Sequence, residues 1–186
     1  MSDTLKLVIF AMASTGIVYL SRRSLVKPRS HGFYRFFAFE FILALILLNL
    51  NVWFKSPFAW HQVISWILLV AALVPLGFGV RALVARGKPA IQRAGEPQLL
   101  GFEKTTALVT SGIYAYIRHP MYSSLLLLAW GVFLKAPGWT GAALAAAATL
   151  ALVFTARADE AECIEFFGEA YRDYMKRTKR FVPFVV

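Results

Sequence analysis

Five long apolar stretches interrupt the 186-residue chain and restrict its fold more than any other feature of the sequence. They cover residues 5–20, 36–54, 63–80, 121–134 and 139–156. A helix that crosses a bilayer needs roughly 20 such residues, so the first and fourth stretches must be extended at ends where Lys6 and Lys135 reach the lipid headgroups. The sequence therefore predicts an all-α, polytopic membrane protein with about five transmembrane helices.

The amino-acid composition agrees with a chain that is embedded in lipid. Hydrophobic residues make up 59% of it and charged residues 16%, whereas soluble domains average about 45–50% and about 25%. An intrinsically disordered chain is excluded because disorder needs low hydrophobicity. A disulfide scaffold is also excluded, since the one cysteine, Cys163, cannot form an internal bridge.

The net charge of +10 is distributed unevenly along the chain. Every lysine and arginine except Lys6, Lys55 and Lys135 follows the first stretch, separates the third from the fourth, or follows the fifth. The positive-inside rule then places the N-terminus outside and the C-terminus in the cytoplasm. No nucleic-acid partner is expected, because the basic residues do not gather on one soluble face.

We expect residues 1–186 to form a single integral membrane domain with four parts. Three N-terminal spans (1–80) precede a cytoplasmic loop (81–120) that is rich in glycine and proline and therefore unlike a long helix. A helical hairpin (121–156) and a cytoplasmic C-terminal helix (157–186) complete the domain.

The C-terminal part carries the pattern of an amphipathic helix over residues 159–179. Apolar and aromatic side chains recur there at spacings of three and four residues, at Ile164, Phe167, Tyr171 and Tyr174. This spacing places them on one helical face. Gly168 interrupts the pattern and predicts a bend.

A polar string at the start of the fourth stretch, residues 111–122, is a candidate for chemistry. Its Arg118 has a rigid guanidinium that can bind a carboxylate or phosphate, and its His119 can act as acid, base or donor. The alternative interpretation is a belt of interfacial residues, where arginine and tyrosine anchor a membrane protein. The sequence of this string leaves both interpretations open.

A second polar cluster follows the fifth stretch and contains Arg157, Asp159 and Glu160. Adjacent carboxylates at a membrane boundary can hold a cationic group, although charge compensation at a helix N-terminus explains them equally well. Both clusters are predicted on the same side of the membrane, so they could meet. No metal site is expected, because the histidines lack a ligand spacing, and His31 and His61 are expected in loops without ligand partners.

The two clusters resemble a known family. Residues 110–114 (Thr-Ser-Gly-Ile-Tyr) and 118–122 (Arg-His-Pro-Met-Tyr) are similar to the signature of isoprenylcysteine carboxyl methyltransferases, a group that includes phospholipid methyltransferases and small bacterial members. The paired acids at 159–160, the Phe-Phe-Gly-Glu-Ala-Tyr motif at 166–171 and the closing Arg-Phe-Val-Pro at 180–183 resemble the family's later motifs.

The resemblance implies an integral membrane methyltransferase, expected in a bacterial inner membrane, that uses S-adenosylmethionine and releases S-adenosylhomocysteine. Its acceptor would be lipophilic, either an isoprenylcysteine-like carboxylate or another lipid-like molecule. The implied catalytic residues are Arg118, Arg157 and Glu160. The implied cofactor-binding residues are Thr106, Ala107, Leu108, Val109, Tyr114, His119, Pro120, Met121, Tyr122, Asp159 and Glu160.

The sequence leaves the acceptor's chemistry and two other functions open. A carboxylate acceptor needs no base, whereas an amine must first lose a proton, for which Glu160 or His119 is the candidate. A thiol acceptor would need a stabilised thiolate. The alternative functions are a membrane-embedded reductase that uses NADPH and a non-catalytic membrane interaction protein.

Overall fold

A computed structural model describes residues 1–87 and 105–183 of the chain. Within these residues the helices are α1 (Asp3–Leu25), α2 (His31–Asn49), α3 (Trp60–Arg86), α4 (Pro120–Phe133), α5 (Trp139–Phe167) and α6 (Glu169–Arg177). Each apolar stretch of the sequence corresponds to one of the first five helices, so the predicted all-α class is confirmed. Residues 88–104 of the predicted cytoplasmic loop lie outside the described residues.

Helices α1 and α2 begin at a serine cap. The hydroxyls of Ser2 and Ser30 accept hydrogen bonds from the third amide beyond them, at 3.3 Å and 3.2 Å. Such caps satisfy amides that have no partner inside the first turn. Pro120 starts α4, where its missing N–H costs no helical hydrogen bond.

Four of the described helices are long and apolar enough to cross a membrane, namely α1, α2 with the short turn after it, α3 and α5. Helix α4 is apolar but has only 14 residues, which spans about 21 Å at 1.5 Å per residue. Its length therefore falls below that of a full span, and the predicted number of five spans stays a prediction.

The helices pack closely through small side chains. On α5, Ala145 and Ala148 are fully buried and contact the α2 core around Leu45. A side chain at Gly79 of α3 would lie 3.0 Å from the ring of Pro120, so α3 and the start of α4 are nearly in contact. Small residues allow such close approaches, which stabilise helix pairs in lipid.

A buried lysine joins α3 to the end of α4 at the side of the molecule opposite the polar clusters. Lys135 is only 1% exposed, so the expectation that it reaches the headgroups is wrong. Its Nζ donates to Oε1 of Gln62 at 3.1 Å and lies 3.5 Å from the ring centroid of Trp66. The aromatic face and the amide oxygen together compensate for the lost hydration of the ammonium group.

We expect Lys135→Met to lower the free energy of unfolding by about 2 kcal/mol, because it removes a desolvated cation–π contact and leaves a buried amide acceptor without a donor. The melting temperature of the purified protein in detergent measures this effect. The matched control is Lys55→Met, since Lys55 is exposed. Equal melting temperatures for the two variants would contradict the interpretation.

The predicted bend at Gly168 is confirmed. Gly168 has a φ of +60°, which only glycine adopts without strain, and it separates α5 from α6. Beyond it, Tyr171 and Tyr174 are buried while Arg172 and Asp173 are exposed. Helix α6 is therefore amphipathic as predicted, and its aromatic face turns toward the start of α4.

Candidate functional site

The last described residues run beside the segment that leads into α4. The backbone N–H of Lys179 donates to the carbonyl of Tyr116 at 3.0 Å. The N–H groups of Arg118 and His119 donate in turn to the carbonyls of Lys179 and Arg180, at 2.8 Å and 3.1 Å. This short parallel pairing fixes the backbone from which the Arg118 and His119 side chains project.

Glu160 of α5 is the centre of a buried ion-pair network. Its Oε1 accepts from Nε of Arg118 at 2.9 Å, and its Oε2 accepts from Nη2 of Arg180 at 2.6 Å. A ring nitrogen of His119 lies 3.3 Å from Oε1. Glu160 is only 4% exposed. Its partners therefore supply the hydrogen bonds that water would supply to an exposed carboxylate.

The guanidinium of Arg118 has further partners at the end of α6 and just after it. Its Nη1 donates to the carbonyls of Thr178 and Met175. Arg118 therefore connects α5, the segment before α4 and the residues after α6 in one network. Buried, hydrogen-bonded charge networks of this kind hold side chains in a single arrangement.

Asp159 lies beside Glu160 but is more accessible. Its Oδ2 accepts from the phenol of Tyr122 at 3.2 Å and lies 3.4 Å from Nδ1 of His119. The side chain keeps 22% of its surface exposed, compared with 6% for Glu160. Asp159 is thus the carboxylate of the pair that can meet a ligand.

His119 is held between the two carboxylates. Burial on its own would lower the pKa of the imidazole, but the contacts with Asp159 and Glu160 outweigh burial and raise that pKa above its usual value. Both ring nitrogens are engaged by carboxylate oxygens. We therefore interpret His119 as a cation that orients Asp159.

An open cleft of about 760 Å³ lies between these groups and α6. The predicted site residues that line it are Leu108, Val109, Tyr114, Arg118, His119, Met121, Tyr122 and Asp159. The structure thus brings the two sequence clusters together at one cleft, although they are about 40 residues apart in the chain. The remaining lining residues come from α2, α3, α5, α6 and the segment before α4. They are His31, Leu83, Thr105, Glu162, Cys163, Phe167, Tyr171 and Tyr174.

Other predicted site residues lie outside the lining of the cleft. The amides of Thr106 and Ala107 donate to the carbonyl of Gly87 at 3.0 Å and 3.2 Å. These hydrogen bonds hold the backbone of the two residues against the end of α3. Pro120 packs against α3. Arg157 is exposed, and its guanidinium carbon lies 6.0 Å from the ring centroid of Phe154.

Among the lining residues that the sequence analysis did not assign to the site, His31 and Glu162 form an ion pair. The expectation that His31 and His61 lie in loops is wrong, because His31 begins α2 and His61 lies in the first turn of α3. Nδ1 of His31 lies 2.6 Å from Oε2 of Glu162, and the backbone N–H of His31 donates to Oε1 at 3.0 Å. The capping residue Ser30 was the only local signal that α2 begins at His31.

The aromatic side chains of α6 close the cleft from the C-terminal side. The phenol of Tyr174 donates to the backbone carbonyl of Tyr114 at 2.7 Å. Burial raises the pKa of Tyr171 and of Tyr174, so both phenols stay neutral. Tyr174 therefore serves as a hydrogen-bond donor that ties α6 to the polar string.

Comparison with known proteins finds a family model that is similar to the part of the chain that contains the cleft. Residues 90–174 match the family model described as "Phospholipid methyltransferase". This part of the chain is thus similar to phospholipid methyltransferases. The match contains both polar clusters and most of the cleft-lining residues.

Individual curated relatives are similar to slightly less than half of the chain. Protein-S-isoprenylcysteine O-methyltransferase of Schizosaccharomyces pombe is 33% identical over 84 residues, which are 44% of this chain and 35% of the relative. The Mus musculus protein of that name is 40% identical over 85 residues, which are 44% of this chain and 29% of the relative. Methanethiol S-methyltransferase 1 of Bradyrhizobium diazoefficiens is 34% identical over 88 residues, which are 46% of this chain and 30% of the relative.

The chain spans about a third of the length of these curated relatives. No solved structure matches it. The similarity therefore links the cleft to a family of methyltransferases, and the activity of the whole protein is left to be proposed.

Proposed function

We propose that this protein is an integral membrane methyltransferase that uses S-adenosylmethionine to methylate a lipophilic acceptor. The observation that carries the proposal is the meeting of the Arg118–Tyr122 region with Asp159 and Glu160 at one cleft, inside the part of the chain that matches the family. Residues that the family resemblance joins in one site are thus also neighbours in space.

The cleft suits the proposed donor. S-adenosylmethionine would supply a methyl group activated by its bond to a positively charged sulfur. The accessible carboxylate of Asp159 suits the donor's ammonium group, and the cation His119 behind it keeps Asp159 ionised and oriented. The apolar side chains of Leu83, Val109 and Phe167 provide a wall for an adenine ring.

In this proposal most residues of the network around Glu160 do not touch the donor but hold other site residues in position. Glu160 and Arg118 hold His119 and the C-terminal segment in place, and their own polar atoms are engaged. The catalytic roles expected for Arg118, Arg157 and Glu160 stay predictions. Arg157 is exposed at the end of the fifth apolar stretch, where it could meet an anionic group that approaches from the membrane surface.

A second, apolar groove suits the tail of a lipophilic acceptor. This groove of about 730 Å³ runs between α2, α3 and α4, where Phe39, Leu69 and Leu125 line it. It shares Met121 and Tyr122 with the polar cleft. An apolar tail in the groove would place its head beside the donor, and such positioning contributes up to roughly 7–11 kcal/mol to a transfer reaction.

The position of the cleft supports a proposed orientation in the membrane. The cleft lies at the ends of α3 and α5 and at the starts of α2 and α4, and these ends carry most of the basic residues. We propose that this side faces the cytoplasm, with the N-terminus outside, in a bacterial inner membrane. A polar donor would then enter from the cytoplasm and an apolar acceptor from the bilayer.

Binding of S-adenosylhomocysteine tests the proposed function. We expect titration calorimetry of the detergent-purified protein to show saturable binding of S-adenosylhomocysteine and no binding of NADPH. Stabilisation by NADPH alone would support a reductase instead, and indifference to both ligands would contradict any enzyme of these two classes. Mass spectrometry of a lipid extract incubated with the protein and methyl-labelled S-adenosylmethionine then identifies the acceptor.

A further inference from the structure

The His31 imidazole is a buried polar group in the cleft wall that the proposed function does not use. It is 1% exposed and lines the cleft together with Tyr122 and Asp159. Among the described residues its Nε2 has no hydrogen-bond partner. A buried ring nitrogen without a partner is unfavourable, and a ligand that bonds to it removes that cost.

The contact with Glu162 determines what this nitrogen can do. A carboxylate only accepts hydrogen bonds, so the 2.6 Å contact between Oε2 and Nδ1 requires a proton on Nδ1 of His31. In the neutral ring, Nε2 then carries a lone pair. A carboxylate that orients an imidazole in this way is the usual arrangement of a histidine that accepts a proton.

The other two candidate bases, His119 and Glu160, have no comparable atom that is available to accept a proton. Both ring nitrogens of His119 lie against carboxylate oxygens, and both carboxylate oxygens of Glu160 accept from arginine side chains. The charged groups that act on His31 itself are Glu162 and Asp159 on α5 and Arg35 on the next turn of α2.

We propose that His31, oriented by Glu162, removes a proton from the methyl acceptor, so that the acceptor is an apolar molecule with a protonated nucleophile, a thiol or an amine. This inference rests on the proposed function. The N–H or S–H proton passes to Nε2 of His31, and the freed electron pair forms the new bond to the methyl carbon. The old carbon–sulfur bond breaks with its electron pair on sulfur, which leaves as a neutral thioether, and His31 later returns the proton to solvent.

A carboxylate acceptor would not need this residue. A carboxylic acid is already ionised near neutral pH and requires charge pairing alone. A thiol or an ammonium group is mostly protonated at that pH, so a base that removes its proton accelerates transfer by roughly 10²- to 10⁴-fold. The nature of the head group therefore decides whether His31 affects turnover.

Three probes with the same apolar tail separate the head groups: decanethiol, decylamine and decanoate. Transfer of label from methyl-labelled S-adenosylmethionine is measured for the wild type, His31→Ala and Glu162→Gln. We expect the wild type to methylate the thiol or the amine in preference to decanoate. We expect His31→Ala to lower kcat at least 100-fold and Glu162→Gln about tenfold, with KM nearly unchanged.

Three further measurements exclude a merely structural role. Added imidazole is expected to restore part of the lost activity of His31→Ala, and the control variant His61→Ala, altered at the far end of α3, needs no rescue. Affinity for S-adenosylhomocysteine, measured by calorimetry, is expected to stay within about threefold of the wild type in all three variants. For a thiol probe, ultraviolet absorbance of the thiolate in the complex with S-adenosylhomocysteine is expected in the wild type and absent in His31→Ala.

The outcomes separate this inference from the proposed function. Failure of the wild type to bind S-adenosylhomocysteine overturns the proposed function. Normal binding together with preferred methylation of decanoate, full activity of His31→Ala, or loss of activity without imidazole rescue overturns the role of His31 alone. If no probe is methylated although S-adenosylhomocysteine binds, equal thiolate absorbance in the wild type and His31→Ala also overturns it.

Discussion

Replacement of Asp159 by alanine is expected to lower the affinity for S-adenosylhomocysteine about 10- to 100-fold. Asp159 is the accessible carboxylate of the cleft, with 22% of its side chain exposed. A hydrogen bond to a charged group is worth roughly 1.5–3 kcal/mol, and each 1.4 kcal/mol is a factor of ten in affinity. The loss would appear directly as a larger dissociation constant in titration calorimetry.

The same helix offers a matched control for this experiment. Glu165 lies on α5 as well, but it is exposed and does not line the cleft. We expect Glu165→Ala to bind like the wild type, whereas Asp159→Asn keeps the size of the side chain and isolates the effect of charge. Undiminished affinity of both Asp159 variants would remove this residue from the proposed donor site.

The melting temperature shows whether Asp159→Ala acts on binding alone. Tyr122 and His119 lose one partner in this variant, but His119 keeps its contact with Glu160. We therefore expect only a small fall in melting temperature, because Asp159 is partly solvated in the native state. A collapse of the fold would make the binding result a consequence of unfolding and would contradict the assignment of Asp159 to the ligand.

The positions of the helices could be predicted from the sequence because they depend on local patterns. Apolar stretches of roughly span length, a serine cap and a glycine at a bend are properties of consecutive residues. The break at Gly168 was predicted for this reason, and the structure has it at the same residue. The meeting of the two polar clusters was also predictable, since both were placed on the same side of the membrane.

Contacts between distant residues could not be predicted in the same way. His31 and Glu162 are 131 positions apart, and no local pattern joins them. Lys135 has the sequence context of an interfacial lysine, yet Trp66 on another helix provides the aromatic face that buries it. These contacts depend on how α2 and α3 pack against α5 and α4, which is decided by the shapes of many side chains at once.

Helix geometry separates Arg157 from the cleft. Residues two positions apart on a helix point in nearly opposite directions, because each residue turns the helix by about 100°. Asp159 lines the cleft, whereas Arg157 is exposed near the ring of Phe154. Helix α5 thus directs the side chains of Arg157 and Asp159 to different sides, and the expected role of Arg157 in the site stays a prediction.

Replacement of Glu160 is expected to have the largest effect on stability of any single change in the site. Arg118, Arg180 and His119 all contact this carboxylate, whose side chain is 6% exposed. Removal of one partner of a buried ion pair costs about 3–5 kcal/mol, because the remaining charges stay buried without compensation. For Glu160→Ala we expect a fall in melting temperature of roughly 10 °C in detergent.

An exposed glutamate–arginine pair supplies the control. Glu169 and Arg172 form an ion pair at 3.1 Å, but their side chains are 83% and 54% exposed. Such surface pairs contribute about 0–1 kcal/mol, so Glu169→Ala is expected to melt within about 2 °C of the wild type. The two variants remove the same chemical group from the same kind of pair, and burial is the difference between them.

Binding measurements on Glu160→Gln then separate the two carboxylates of the site. Glutamine keeps the volume of the side chain and part of its hydrogen bonding, so this variant retains more structure than Glu160→Ala. Because Glu160 has its oxygens engaged by Arg118 and Arg180, we expect a large loss of stability with a smaller loss of affinity for S-adenosylhomocysteine than Asp159→Asn shows. The opposite order would make Glu160 the ligand-binding acid and Asp159 its support.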